Sequence, residues 1–159
     1  MWGTTGTCAG ADAKSVYWLR HGILTLSGHR AYVTSVTFNN DGQQIISAGE
    51  DATVRVWDAT TGDQMLTLDR FCAAVRDVAR STDGQRIAAV DDNGALRVWN
   101  TTSGREVLRL GAHAGRILGV AFSPNGEQIA SRGDDGTLKV WDATRDYEAM
   151  VFHGNGQGN

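Results

Sequence analysis

Hydrophobic and polar positions alternate along this chain in short runs, and the runs return at a fixed interval. "YVTSVTF" (32–38) sets Val33, Val36 and Phe38 against Thr34, Ser35 and Thr37. "QQIISA" (43–48) follows. Then come "TVRVW" (53–57), with Val54 and Val56 alternating with Thr53 and Arg55, and "QMLTL" (64–68). Alternation every second residue marks a half-buried strand, and nothing in this stretch sustains a helical period. Asp41 with Gly42 and Thr61 with Gly62 punctuate the runs. An Asp-Gly pair between β-rich runs predicts a hairpin with a type I′ turn, whose two central residues need positive φ. The unit is predicted to be a four-stranded antiparallel meander.

The unit is written three times. Trp57, Trp99 and Trp141 stand 42 residues apart, as do Asp41, Asp83 and Asn125, each followed by glycine. A gapless repeat of about 40 residues predicts stacked supersecondary blocks, because one block cannot bury its apolar faces alone. A four-stranded meander of this length is one blade of a β-propeller. The predicted fold is all-β, an incomplete propeller arc of about 3.5 blades per chain. The boundaries read as a partial blade at 1–26, then blade 1 at 27–68, blade 2 at 69–110, blade 3 at 111–152 and a disordered tail at 153–159. In the partial blade, "AGADAKSVYW" (9–18) aligns without a gap to "AGEDATVRVW" (48–57), and "GILTL" (22–26) reads as the outer strand.

Gly28 with His29 near the start of a unit, and Trp57 with Asp58 near its end, give the units a resemblance to WD repeats. Trp141 with Asp142 matches again in blade 3, where Ala112 and His113 stand for the Gly-His pair. The resemblance covers roughly residues 27–152 and part of the N-terminus. It implies a hydrogen-bonded chain of His, Ser, Asp and Trp buried in each blade. Blade 1 has His29, Ser47, Asp51 and Trp57, and blade 3 has His113, Ser131, Asp135 and Trp141 at identical offsets. Such a chain satisfies an indole N–H, a hydroxyl, an imidazole and a carboxylate together. Blade 2 is degenerate: Phe71, Ala89 and Asn93 replace His, Ser and Asp, and only Trp99 remains. Arg80 stands where the neighbours have Phe38 and Phe122; it is expected to reach an edge or to pair with Asp77. Blade 2 is expected to be the least stable of the three.

The resemblance further implies that partners dock on the face around the central channel. The matching positions are Tyr32, Thr34 and Glu50 in blade 1, then Ala74, Arg76 and Asp92, then Arg116, Leu118 and Asp134. Tyr and Arg are enriched at binding hot spots.

Charge excludes more than it suggests. Fifteen Lys and Arg stand against 18 Asp and Glu, with no basic block, so no nucleic-acid or membrane partner is expected. The first residues lack the basic and apolar pattern of a signal peptide. Cys8 and Cys72 form no C-x-x-C pair and read as free thiols in a cytoplasmic protein. The histidines at 21, 29, 113 and 153 show no ligand spacing, and the acidic pairs at 50–51, 91–92 and 134–135 sit in hairpin turns, so no metal or cofactor is expected. His113, Ser131 and Asp135 resemble a hydrolase triad only in composition, since the same trio recurs at fixed offsets and no nucleophile elbow surrounds the serine.

The function expected is a non-enzymatic scaffold that binds protein or peptide through the top face. The alternative is a structural or regulatory part of a longer array, in a larger protein of bacterial signalling type. Three blades do not close a ring, so assembly with a second copy or another propeller fragment is expected.

Overall fold

The computed structural model describes residues 24–69 and 71–144. Eleven strands follow the three-fold repeat. β1 Val33–Phe38, β2 Gln44–Gly49, β3 Val54–Asp58 and β4 Gln64–Leu68 form one antiparallel sheet in the order β1-β2-β3-β4. β5 Val75–Arg80, β6 Arg86–Asp91, β7 Ala95–Asn100 and β8 Glu106–Gly111 form a second in the same order. β9 Ile117–Phe122, β10 Gln128–Gly133 and β11 Leu138–Asp142 form a third. The register repeats too: Ile45, Ile87 and Ile129 lie opposite Trp57, Trp99 and Trp141. Residues 24–26 carry no strand; Leu24 and Leu26 lie beside Gly62 at the turn before β4. The rest of the expected partial blade, the fourth strand of blade 3 and the tail at 153–159 lie outside the described residues.

The first hairpin of each blade departs from the expected type I′ turn. Its connection is five residues long, and its aspartate or asparagine does not take positive φ; only Gly42, Gly84 and Gly126 do, at 71°, 71° and 73°. The glycine N–H bonds back to the carbonyl of Asn39, Ser81 or Ser123, at 3.1, 2.8 and 2.9 Å. This is a type I turn closed by a left-handed glycine, the usual solution for longer hairpin loops. Asp41, Asp83 and Asn125 serve the turn through the side chain, each accepting from the backbone N–H two residues on, at 2.7, 2.9 and 3.1 Å.

The core consists of two seams between sheets. In the first, Ile46, Val54, Val56 and Leu68 of blade 1 pack against Phe71, Val75, Val78, Ile87 and Trp99 of blade 2. In the second, Ala88, Leu96, Val98 and Leu108 of blade 2 pack against Ile117 and Ile129 of blade 3, with Val120, Phe122 and Trp141 alongside. Alternation thus assigns each strand's two sets of side chains to two different seams.

At each end of the arc no described sheet covers the outer face. Val33 is 56% exposed, while Val75 and Ile117 at the same position in blades 2 and 3 are both fully buried at 0%. Leu138 is 69% exposed, while its counterparts Val54 and Leu96 are both at 0%. Val36 and Phe38 share the first end face, and Val140 the second.

Arg80 does not pair with Asp77. Its Nη1 donates to Gln44 Oε1 of blade 1 at 2.8 Å, and its Nη2 donates to the Gly84 carbonyl at 2.8 Å. Asp77 instead staples three blades: it accepts from Ser35 Oγ of β1 at 2.6 Å and from the Val120 N–H of β9 at 3.0 Å. The first strands of successive sheets are neighbours, so a short carboxylate on the middle one reaches both sides.

Candidate functional site

In blade 1, β2 carries Ser47, β3 carries Trp57, and the turn between them carries Asp51. Trp57 Nε1–H donates to Ser47 Oγ at 2.8 Å, and Ser47 Oγ lies 2.8 Å from His29 Nε2. An indole only donates, so the serine hydroxyl passes its own proton toward Nε2, and Nδ1–H then faces Asp51 Oδ1 at 3.0 Å. Blade 3 repeats the chain: Trp141 Nε1 to Ser131 Oγ is 2.9 Å, Ser131 Oγ to His113 Nε2 is 2.8 Å, and His113 Nδ1 to Asp135 Oδ2 is 3.0 Å. The structure therefore brings together all eight of these residues, four to a blade.

Each chain includes a threonine that the sequence reading passed over. Thr53 Oγ1 donates to Asp51 Oδ1 at 2.8 Å, and Thr137 Oγ1 to Asp135 Oδ1 at 2.7 Å. The signal was available, because both lie two residues after the aspartate while blade 2 has Ala95 there. Burial opposes ionisation of Asp51, yet donation from the Arg30 N–H, His29 and Thr53 outweighs it and holds the carboxyl down at about 2. Asp135 is likewise held well below the ordinary carboxylate range, chiefly by the hydroxyl and N–H of Thr137, with His113 adding to them. Ser131 is buried, and its hydroxyl is engaged on both sides. The arrangement orients an imidazole and offers no exposed nucleophile.

Blade 2 fills the same volume differently. Phe71 packs tilted on Trp99, with ring centroids 5.3 Å apart, and the Arg97 guanidinium sits 5.1 Å from the Phe71 centroid. Arg97 is buried and bonds Glu106 Oε2 through Nη1 at 3.2 Å; its Nε has no hydrogen-bond partner among the described residues. Asn93, at the former aspartate position, is exposed. The turn's carboxylate comes from Asp91, two residues earlier, which accepts from the N–H groups of Asn93 at 3.0 Å and Ala95 at 2.9 Å.

One backbone bond recurs along the channel rim. The N–H groups of Glu50, Asp92 and Asp134 donate to the carbonyls of Tyr32, Ala74 and Arg116, at 2.9, 3.1 and 2.9 Å. The rim residues thus occupy equivalent places in successive blades, but they do not stand equally free. Arg76 binds Asp92 through Nε at 2.7 Å and Nη2 at 2.5 Å, and Glu50 through Nη1 at 2.8 Å. Those two carboxylates raise its pKa, and Arg76 in turn lowers that of Asp92. Arg76 therefore bridges the first seam. Thr34 donates to the Val75 carbonyl at 2.6 Å and is also spent on that seam. Tyr32 is 81% exposed, Leu118 is exposed, and the Arg116 side chain is 62% exposed with Asp134 at 3.8 Å. Charge alternates around the rim as Glu50, Arg76, Asp92, Arg116, Asp134.

Among the described residues no group of three His, Cys, Asp or Glu side chains is placed to hold a metal ion. Cys72 is a free, exposed thiol; Cys8, His21 and His153 lie outside the described residues. No described helix is long and apolar enough to cross a membrane.

Comparison with known proteins agrees with the geometry. The family described as "WD domain, G-beta repeat" (WD40) matches residues 21–58, 62–100 and 104–142. The Lissencephaly-1 homolog of Branchiostoma floridae is 48% identical over 44 residues, which cover 28% of this chain and 11% of that protein. Nuclear distribution protein nudF 2 of Penicillium rubens is 38% identical over 55 residues, covering 33% of this chain and 12% of that protein. The crystal structure of the RRP9 WD40 repeats matches with a TM-score of 0.73 at 25% identity, over 76% of this chain and 38% of that one. The structure of U3-55K matches with a TM-score of 0.73 over 76% of this chain and 39% of that one; at 24% identity the likeness is one of fold. WD40 domains are generally protein-interaction scaffolds. With three consecutive matches, and with two blades each holding the Trp-Ser-His-Asp chain, this chain belongs to the WD40 repeat family.

Proposed function

We propose that this chain is a non-enzymatic scaffold that binds a protein or peptide on its channel rim. One observation carries the reading. Tyr32 and Arg116 sit at matched rim positions, anchored by the same backbone bond, and both present most of their surface to solvent. Tyr supplies contact area at low entropic cost and Arg a forked donor. Leu118 adds an apolar contact, and Asp134 a negative charge beside Arg116. Arg76, Thr34, Glu50 and Asp92 hold the rim's shape, Arg76 through its two carboxylates and Thr34 through the first seam. The alternating charges favour a peptide carrying both signs over a nucleic acid. Free cysteine usage fits a cytoplasmic setting, and the scaffold needs no cofactor.

The test is selection of peptides from a display library on the wild type, followed by affinity measurement on variants. Tyr32→Ala with Arg116→Ala is expected to weaken the selected peptides at least about tenfold, the typical loss for a rim hot spot. Arg109→Ala, on the exposed outer strand β8, is expected to leave them unchanged. Loss on Arg109→Ala with no effect of the rim pair would place binding on the outer strands instead.

A second reading has its own observation. No described residues form a blade over either end face, and the chain spans 38% of the RRP9 WD40 chain it resembles. On that reading these blades are a structural or regulatory part of a larger propeller, as in a bacterial signalling protein, and have no partner of their own.

A further inference from the structure

We infer that the two end faces are the two halves of one seam, and that a second copy of this chain occupies it, docked head to tail. The inference goes beyond the rim reading and does not depend on it.

The chain shows twice how the seam is built. A donor face from the second and third strands of one blade meets a receiving face from the first and second strands of the next. In the first seam Val54 and Val56 meet Val75, Val78 and Ile87; in the second Leu96 and Val98 meet Ile117, Val120 and Ile129. Blade 3 offers a further donor face of Leu138 and Val140, and blade 1 a further receiving face of Val33, Val36 and Ile45. At these five positions the residues are aliphatic throughout, and β-branched at all but Leu96 and Leu138; one second-strand donor position differs, with exposed Arg132 where Ala48 and Val90 are buried. The repeat of 42 residues has no gap, so the rotation from blade to blade is set by the same contacts each time. Applying it once more beyond blade 3 brings up a face like Val33 and Val36, which the same sequence carries.

A contact between unlike patches is heterologous, and it closes into a ring or continues as a filament. The polar links of the inner seams are missing from this one. Glu50 meets Arg76 at the first seam, but Asp134 would meet Thr34 of the next copy; Arg86 covers Phe122 at 5.4 Å, but Gln128 would meet Phe38. The new seam is therefore mainly apolar apart from Arg132 on its donor face, and its formation should depend little on salt.

The experiment is a mass measurement by light scattering and sedimentation on the full chain, with one blocking variant at each end. Wild type is expected above the 17.1 kDa monomer at micromolar concentration, and unchanged in high salt. Val36→Asp and Val140→Asp, both at exposed positions, are each expected to give monomer. Mixed in equal amounts they are expected to give a dimer and nothing larger, because only one intact seam remains between them. Val36→Thr and Val140→Thr repeat the test without charge, and the tryptophan spectrum verifies folding. Arg116→Ala, which disturbs the rim, is expected to leave the mass unchanged. A wild-type monomer overturns the inference, whether its end faces are covered by residues outside 24–144 or await further blades. So does an oligomer that survives both single variants, or a mixture that stays monomeric.

Discussion

Blade 2 and its two neighbours keep the same tryptophan in place by opposite means. Blades 1 and 3 run a polar chain from indole to carboxylate, whereas blade 2 stacks Phe71 between Trp99 and Arg97. The difference follows position in the arc. Blade 2 is covered on both faces, and its Val75, Leu96 and Val98 are among the most buried side chains. A blade enclosed by two apolar seams can dispense with the histidine, serine and aspartate of the chain when the three go together, so that none of them is buried without its partners. Enclosure on both faces and loss of the chain therefore act on the stability of blade 2 in opposite directions.

The largest expected effect strikes the junction between the two kinds of blade. Gly94 has φ of 76°, and an added Cβ would lie 2.2 Å from the His113 carbonyl oxygen. Gly94→Ala is expected to cost about 3 kcal/mol or more, since left-handed strain and a backbone clash add together. Chemical denaturation checks it, and a loss below about 1 kcal/mol would mean that the turn relaxes freely.

Next comes the polar chain itself. Asp135→Ala strands the buried His113 Nδ1–H and the Thr137 hydroxyl, and is expected to lower the melting midpoint clearly. Asn93→Ala, at the matched position but with no imidazole to hold, is expected to cost close to nothing. Equal shifts in their melting midpoints would remove the distinction between the blades.

Rewriting the middle blade tests the same point from the other side. Phe71→His alone is expected to cost about 1–2 kcal/mol, because it breaks the stack and buries an imidazole without its serine and carboxylate. Adding Ala89→Ser and Asn93→Asp is expected to recover part of that loss. No recovery would show that blade 2 has lost the geometry along with the residues.

Acid should separate the blades. A carboxylate whose folded pKa is depressed contributes stability above its unfolded value, and that stability is lost as pH falls through the folded one. Asp51 sits at about 2 and Asp135 is lowered in the same direction, so blades 1 and 3 should weaken progressively below the ordinary aspartate value of 3.8. The indole N–H resonances of Trp57 and Trp141 are expected to exchange faster in acid before that of Trp99 does. Asp51→Asn with Asp135→Asn should flatten the trend, and loss of Trp99 protection first would contradict it.

The smallest effect is a gain. Ala52 is the one non-glycine residue with positive φ among the described residues, at 62°, where blades 2 and 3 have Gly94 and Gly136. Ala52→Gly relieves that strain but frees the unfolded chain, for a net stabilisation of about 0.5 kcal/mol. A lower melting midpoint would show that the Ala52 methyl matters more to the core than the strain does.

What lies within one blade was legible in the residues. The strands, the 42-residue period and the two polar chains all recur at fixed offsets, because each involves neighbours in one meander, where chain spacing and spatial spacing are tied together. The loss of His, Ser and Asp from blade 2 was equally plain. The move of the turn's carboxylate to Asp91 was not, because a buried aspartate and an exposed one read alike in a charged turn.

The contacts between blades had to wait for the tertiary structure. It alone sent Arg80 to Gln44, let Asp77 reach both Ser35 and Val120, locked Arg76 between Glu50 and Asp92, and left Tyr32 and Arg116 outside. It also separated chemically alike valines, burying Val75 and exposing Val33. The pattern within a repeat specifies which face of a strand is apolar. Whether that face is covered depends on the residues packed against it, about 42 positions away or on no part of the described chain, and alternation along a strand carries no trace of them.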